Sequence, residues 1–329
     1  MAAPRITVIL PVKDSEGYVG TTLKSLTRQM REPADLKLVA ISDGSTDGTA
    51  DVIRHFADEF AQLELLENPS AVGLASARNM GLDYIEGDYV AFVDGDDWME
   101  PGRLQSLVDE GDRLDVDFIR TDHTTVTGTV RSVVRAPYRW RDRAASPRDA
   151  ILPSSETTMV DYPYAWAGIF HRRLHDRGLL AFPEGLFTAE DRPWIWNLHL
   201  NAESFAVADA PSLMYRREVA TSLTQIVDAR QLDFIRSFDL TRRVVEADPE
   251  ADQFMPKITA TTLAVCAHHL SRRRHMTAEN RDRLKAGVAD LIAALPAELV
   301  RDTLSNGPGK RRWMLNRYVP SGRERSATR

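Results

Sequence analysis

The sequence predicts an α/β fold, with a central, mostly parallel sheet carrying helices on both faces, followed by an α-helical C-terminal region. Three observations predict it. Strand and helix patterns alternate over the first 121 residues, as they do where crossover helices join parallel strands. The rhythm breaks at 122, where a stretch rich in Thr, Val and Arg surrounds Gly128. From about 226 to 304 the pattern is helical, punctuated by Pro249, Pro256 and Pro296.

The elements follow in order. Residues 6–12 form a continuous apolar run, suited to a strand buried on both faces. A helix is expected over 18–31, a strand over 36–42 and a helix over 49–61. A short strand at 63–67 precedes a helix at 74–85, which has Gly73 just before it. Strands at 89–93 and 117–121 flank a helix at 103–113. Residues 124–140 suggest a hairpin. Residues 161–217 mix short strands with a helix starting near Thr188, and Asn306-Gly-Pro-Gly is a breaker before a basic tail. The divisions are thus 1–122, 123–225, 226–305 and 306–329.

Composition limits the function. The chain has 329 residues, 43% hydrophobic and 27% charged, ordinary for a globular protein that needs no staples. Its single cysteine, Cys266, cannot form an internal disulfide and sits in an apolar setting, as expected of a buried thiol in a reducing compartment. The run at 6–12 is followed by Lys13 and Asp14, unlike a secretory signal. Neither it nor the stretch 258–270 reaches the roughly 20 apolar residues of a membrane span. A cytoplasmic protein is expected. The net charge of -6 is uneven, because residues 301–329 hold eight basic side chains and two acidic ones. That tail is either a solvated terminus or a peripheral contact with an anionic membrane at the inner face of the plasma membrane. Nucleic acid is not an expected partner, since the acidic body would repel it. The C-terminal helices are an acceptor-binding lobe or a homo-oligomer surface.

Ligands of open parallel sheets bind at the carboxyl ends of the strands. Three such ends carry acids here: Pro11-Val12-Lys13-Asp14, Asp43-Gly44-Ser45-Thr46-Asp47-Gly48-Thr49 and Asp94-Gly95-Asp96-Asp97. In the last, three carboxylates in four residues repel one another. A pair about 4 Å apart costs about 1 kcal/mol in water and about 4 at an effective dielectric of 20. A divalent cation would relieve this, and hard cations take carboxylates together with phosphate and water oxygens. In an extended segment Asp94 and Asp96 point to opposite sides, and Gly95 lets a ligand approach. Taken alone, the cluster is equally a solvated turn with Asp97 near a helix start. Asp43-Gly-Ser-Thr-Asp-Gly-Thr is equally turn chemistry, with Asp47 or Thr49 capping the next helix.

The order of these blocks carries more than each alone. Pro11-Val12, then Asp43 to Thr49, then Gly73-Leu-Ala-Ser-Ala-Arg-Asn79, then Asp94 to Asp97 and Pro101-Gly-Arg-Leu104 resembles the family-2 glycosyltransferases with the GT-A fold. The resemblance covers roughly residues 5–220 and implies a GT-A type nucleotide-binding fold. Residues 1–122 would be its nucleotide-sugar-binding half and 123–225 its acceptor-binding half. It implies an inverting enzyme that uses a nucleotide-diphospho-sugar donor, with Mn²⁺ or Mg²⁺. Pro11, Val12 and Asp14 would line the base and ribose pocket, and Asp43 would bond the nucleobase, usually uracil. Arg78 would lie beside the diphosphate, Asp94 and Gly95 beside the ribose or donor sugar, and Asp96 on the metal. The metal would stabilise charge on the leaving diphosphate.

The family's Glu-Asp pair matches Glu190 and Asp191, and its second acid, Asp191, would be the base. Thr188-Ala-Glu-Asp191 also fits a capping box. The two readings are compatible, because a helix N-terminus is expected to lower a carboxylate's pKa and keep Asp191 ionised. Trp166, Arg192, Trp194 and Arg216 are candidates for acceptor or diphosphate contact. Trp194 and Trp196 are two apart on a helix and do not share a face, so core packing is the default for both. The histidines show no convincing metal spacing. Rival readings fare worse. A sugar nucleotidyltransferase would carry a Gly-rich basic loop after the first strand, and a dinucleotide oxidoreductase would carry Gly-x-Gly-x-x-Gly there. A degenerate nucleotide- or glycan-binding relative would have lost Asp96 or Asp191. The expected acceptor is a glycan, polyol-phosphate or lipid-linked hydroxyl.

Overall fold

The structure, a computed structural model, describes residues 3–217 and 228–319. The chain divides into two compact units, Met1–Ile151 with Thr157–Ile226, and Leu152–Glu156 with Val227–Arg329.

The first unit begins with β1 (Ile6–Val12), α1 (Glu16–Leu26), β2 (Leu36–Asp43), α2 (Thr49–His55), β3 (Gln62–Asn68) and α3 (Leu74–Leu82). It continues through β4 (Tyr89–Phe92), β5 (Trp98–Met99), α4 (Arg103–Leu114), β6 (Phe118–Arg120), β7 (His123–Thr127) and β8 (Val130–Val134). It ends with β9 (Gly168–His171), α5 (Arg172–Asp176), α6 (Asp191–Asn201), β10 (Phe205–Val207) and β11 (Leu213–Arg216). Seven strands form one sheet in the order β10-β6-β9-β4-β1-β2-β3. Only β9 runs antiparallel to its neighbours β4 and β6. β1, β2 and β4 are buried throughout, as their unbroken apolar runs require. Gly81 lets α3 lie on β1, since a Cβ there would come within 2.5 Å of Ile9 Cγ2. A second sheet has the order β5-β11-β7-β8, and β7–β8 is the expected hairpin.

The helices differ from expectation at their ends. α1 stops at Leu26, and α2 gives way to a 3-10 turn at Ala57–Glu59. α6 begins at Asp191 rather than near Thr188. Glu190, not Thr188, occupies its N-cap, and it makes no side-chain capping bond. Gly48, not Asp47 or Thr49, is the N-cap of α2, although Asp47 still accepts the Thr49 N–H at 3.0 Å.

The second unit contains α7 (Asp233–Glu246), α8 (Ala251–Arg272), α9 (Ala278–Ala294), α10 (Ala297–Asn306) and α11 (Gly309–Leu315). Pro256 lies inside α8 instead of ending it. Cys266 is fully buried there and burial pushes its thiol up to about 12, which disfavours the thiolate. The break at Gly307-Pro308 separates α10 from α11 as expected. The residues beyond are not a loose tail, because α11 and a 3-10 turn extend to Tyr318 and Leu315 is buried. The rest of the basic tail, 320–329, lies outside the described residues. No helix among the described residues is long and apolar enough to cross a membrane.

Candidate active site

β2 and β4 flank β1 and run parallel to it, so the carboxyl ends of all three open on one edge. Pro11 and Val12 close β1 and are buried. The loops after β1 and β2 are laced together. Asp14 N donates to Ser45 Oγ at 3.2 Å, and Asp14 Oδ1 accepts the Thr46 N–H at 2.8 Å. Ser15 N donates to Thr49 Oγ1 at 2.7 Å, and Gly48 N to Glu16 Oε2 at 3.1 Å. The Thr46 N–H holds the Asp14 carboxyl below its usual range. Asp14 adopts φ 45°, a left-handed conformation kept by these bonds.

Asp43 is buried and organises the loop that leads into α3. Its Oδ1 accepts from Asn68 Nδ2 and Val72 N, both at 2.8 Å, and its Oδ2 from Gly73 N at 2.9 Å. One lone pair of Oδ2 therefore remains for a ligand N–H.

The acidic cluster is a tight turn, not the extended segment expected. Asp97 N donates to Asp94 O at 3.2 Å. Thr22 Oγ1 of α1 donates to Gly95 O and Asp97 O, at 2.9 and 2.6 Å. Gly95 is required because a Cβ would meet Val12 Cγ1 at 2.6 Å. Asp97 does not serve a helix start. It is fully buried and its Oδ1 accepts the Arg216 N–H at 2.8 Å, which pins β11 to the turn. Burial and the charges of Asp96 and Asp94 raise its carboxyl well above the usual range. Arg216 Nε returns a bond to Asp96 O at 3.0 Å, and its guanidinium lies over Trp98 and Tyr18.

Arg78 joins the two acidic regions. It is buried, donating to Asp94 Oδ1 at 3.0 Å and to Glu190 Oε1 at 2.9 Å. Burial alone would lower its pKa, but Asp94 and Glu190 outweigh it and the net shift is upward. Its guanidinium rests 5.1 Å above the Phe182 ring, which stacks on Trp194 at 4.8 Å. Asn79 clamps the same segment: its Nδ2 donates to Phe182 O, and its Oδ1 accepts Phe182 N. The Arg78-Asn79 dipeptide thus fixes the chain that leads to Glu190 and Asp191. Ala189, just before them, is held at φ 60°.

Glu190 and Asp191 both carry raised pKa values, with burial as the first cause; the Asp191 charge adds to it at Glu190, and the Asp94 charge adds at both. The expected lowering of Asp191 by the helix terminus is overturned: burial outweighs the partial relief from Arg192 and Arg78. Trp194 and Trp196 are both core residues. Trp166 is also buried, stacked 4.7 Å from Tyr164 and tilted against Tyr215 at 5.1 Å. The sequence singles out Trp166 but not the rest of this aromatic wall, which includes His123 hydrogen-bonded to the Tyr162 hydroxyl. Its signal was the alternation Tyr162-Pro-Tyr164-Ala-Trp166. The reading also missed two fully buried arginines, Arg103 and Arg120.

Asp96 suits a cation whose other ligands come from a substrate. No side chain among the described residues donates a hydrogen bond to it, and burial and Asp94 push it up to about 6. No group of three or more His, Cys, Asp or Glu ligands exists among the described residues, so a closed protein cage does not fit.

The sequence profile described as Glycosyl transferase family 2 matches residues 7–180, more than half the chain. The chain belongs to this family. Among curated proteins, "Uncharacterized glycosyltransferase EpsJ" of Bacillus subtilis is 27% identical over 68% of this chain and 64% of its own length. The poly(ribitol-phosphate) beta-N-acetylglucosaminyltransferase TarS of Staphylococcus aureus is 26% identical over 64% of this chain and 35% of its own. The chain therefore spans less than two thirds of these relatives. A crystal structure of TarS residues 1–349 in complex with UDP-GlcNAc has TM-score 0.74 at 21% identity, covering 90% of this chain and 82% of that one. That likeness establishes the GT-A fold. Within this family-2 fold, the acidic turn, Arg78 and the Glu190-Asp191 pair converge on one edge of the sheet.

Proposed function

We propose that the chain is an inverting glycosyltransferase. It moves a sugar from a nucleotide-diphospho-sugar, UDP-linked, to a hydroxyl of a glycan or cell-envelope polymer. The observation that carries this reading is the Asp94–Arg78–Glu190 bridge, which ties the strand-end acids to the Glu190-Asp191 pair. The TarS complex with UDP-GlcNAc supports the choice of UDP.

Asp14 and Asp43 hold the nucleoside, and Asp43 accepts a ring N–H on its spare lone pair. Asp96 holds the divalent cation, Mn²⁺ or Mg²⁺. When bound, it supplies Lewis-acid stabilisation of charge on the leaving diphosphate. Asp94, fixed by Arg78, orients the sugar. Asp191 takes the proton of the acceptor hydroxyl. The acceptor oxygen then bonds to the anomeric carbon as the bond to the diphosphate breaks, and the nucleoside diphosphate leaves with the electron pair. A carboxylate raised by burial is a stronger base than a solvated one, which suits this role. Tyr164 and Tyr215, half-buried beside Trp166, offer rings to the acceptor.

The test is a panel of nucleotide sugars with Mn²⁺, read by donor hydrolysis and by product mass with candidate acceptors. A UDP-linked donor should be selected. Asp191→Asn should keep donor binding and lose transfer by about 10²–10⁴-fold, the usual contribution of a general base. Transfer at the normal rate would remove Asp191 from that role.

A further inference from the structure

The stretch 130–143 contains five arginines and one acid, in a protein whose net charge is -6. β8, the outer strand of the second sheet, is exposed at Val130 (63%) and Val133 (67%). Arg131 and Val133 alternate onto one face of it. Arg131, Arg135, Arg139 and Arg143 are exposed, and none pairs with an acid among the described residues. Only Arg141 does so, with Asp122 at 2.8 Å, and Asp122 also accepts the Ala136 N–H at 2.8 Å. These two hydrogen bonds to the Asp122 carboxylate hold the segment after β8 in place. Beyond it Arg139 and Arg143 both stack on Trp140, each 4.1 Å from the ring centroid.

Such stacking fixes two long side chains before any ligand arrives, which lowers the ordering cost of binding. It also occupies the indole with guanidiniums, so Trp140 is not free to enter an apolar phase as an interfacial tryptophan would. The cations run along one strand and its continuation, a line rather than a broad face. The line also has a direction. Across the second sheet Arg216 pairs with Val126, and Val126 pairs with Arg131. Residues in register share a face, so Arg131 stands two strands, about 10 Å, from the residue that holds the acidic turn.

We propose that this strip, Arg131, Arg135, Arg139 and Arg143 with Trp140, binds a linear polyanionic acceptor polymer and guides it to the site. The proposal rests on the glycosyltransferase reading and names the acceptor's chemistry: a chain bearing phosphate or other repeated anionic groups. Unpaired arginines favour oxyanions, and their fork geometry suits phosphate.

The experiment measures binding of fluorescent long-chain inorganic polyphosphate to the full chain by anisotropy across a salt series. Neutral dextran and phosphatidylglycerol vesicles serve as controls. Wild type should bind polyphosphate with a steep salt dependence and ignore dextran. Arg131→Glu/Arg135→Glu should weaken binding at least tenfold and flatten the salt slope. Arg131→Lys/Arg135→Lys should restore most of it. Trp140→Ala, which frees the two arginines, should weaken it several-fold. Donor binding and melting temperature should stay unchanged in all three. Polyphosphate binding that survives the charge reversal overturns the proposal. So does vesicle binding that is lost with it, since the strip would then be a membrane face. Donor binding is measured without polymer, so its absence in wild type would show that the glycosyltransferase reading itself has failed.

Discussion

The acidic turn after β4 and the Glu190-Asp191 pair before α6 both crowd carboxylates, but they are held in opposite ways. In the turn Arg78 bonds Asp94 and the Arg216 guanidinium bonds the Asp96 carbonyl, but uncharged donors hold the rest. Thr22 Oγ1 holds its backbone, and the Arg216 N–H holds Asp97. Asp96 is left with no side-chain donor among the described residues and a pKa near 6. The pair is built on an ion pair instead, with Arg78 bonded to Glu190 and a strained residue, Ala189, before it. One region leaves the Asp96 carboxylate without a cation bonded to it. The other has its cation built in. Removing a charge should therefore have opposite signs in the two places.

The largest effect is expected at the built-in cation. Arg78→Met leaves Glu190 buried without its partner and removes the tether on Asp94. Breaking one side of a buried ion pair costs about 3–5 kcal/mol, which in a domain of this size lowers the melting temperature by roughly 10 °C. A loss under about 1 kcal/mol in denaturant titration would mean that the bridge contributes little to the fold.

The opposite sign is expected at Asp96. In metal-free protein Asp96→Asn should raise stability, on the order of 1 kcal/mol, while abolishing metal-dependent nucleotide binding. The pH dependence follows from the same group. Its folded pKa, about 6, lies above the ordinary carboxylate value, so the native state binds its proton more tightly than the unfolded state does. Asp96 therefore makes the metal-free protein less stable as pH rises from about 4 through 6, and it regains stability as pH falls. Metal-dependent nucleotide binding should run the other way and weaken as pH falls through 6, because the cation needs the carboxylate. Glu190 and Asp191 are also raised, but they are common to both proteins. The difference between wild-type and Asp96→Asn melting curves from pH 5 to 7.5 isolates Asp96. Parallel curves would sink this account.

The same contrast explains what the sequence discloses. The strand-end acids are legible because their placement follows from local pattern: an apolar run, then a turn, then a helix. The sheet brings Asp14, Asp43 and Asp94 together for the same reason. Asp97 was misplaced because its partner, the Arg216 N–H, lies 119 positions away. Arg78 is legible as a residue of the site, but not its two bonds, to Asp94 and to Glu190, 112 residues distant. Asp191 was expected to be acidic from its helix position, and burial reversed the shift. Burial and long-range pairing have no local signature. The aromatic alternation at Tyr162, Tyr164 and Trp166 did have one.

The smallest expected effect tests how much of the pair's position depends on strain. Ala189 at φ 60° costs roughly 1–2 kcal/mol that glycine would not. Glycine also gains freedom in the unfolded chain, worth about 0.4–1 kcal/mol in the other direction. The two terms nearly cancel, so Ala189→Gly should shift the melting temperature by about 2 °C or less. The position of Asp191 is another matter. A glycine before the pair can visit other conformations, so kcat for transfer should fall several-fold while donor affinity stays put. If kcat is unchanged, the Arg78–Glu190 and Asn79–Phe182 bonds alone fix the base, and the left-handed turn at 189 is only the path the chain takes to reach it.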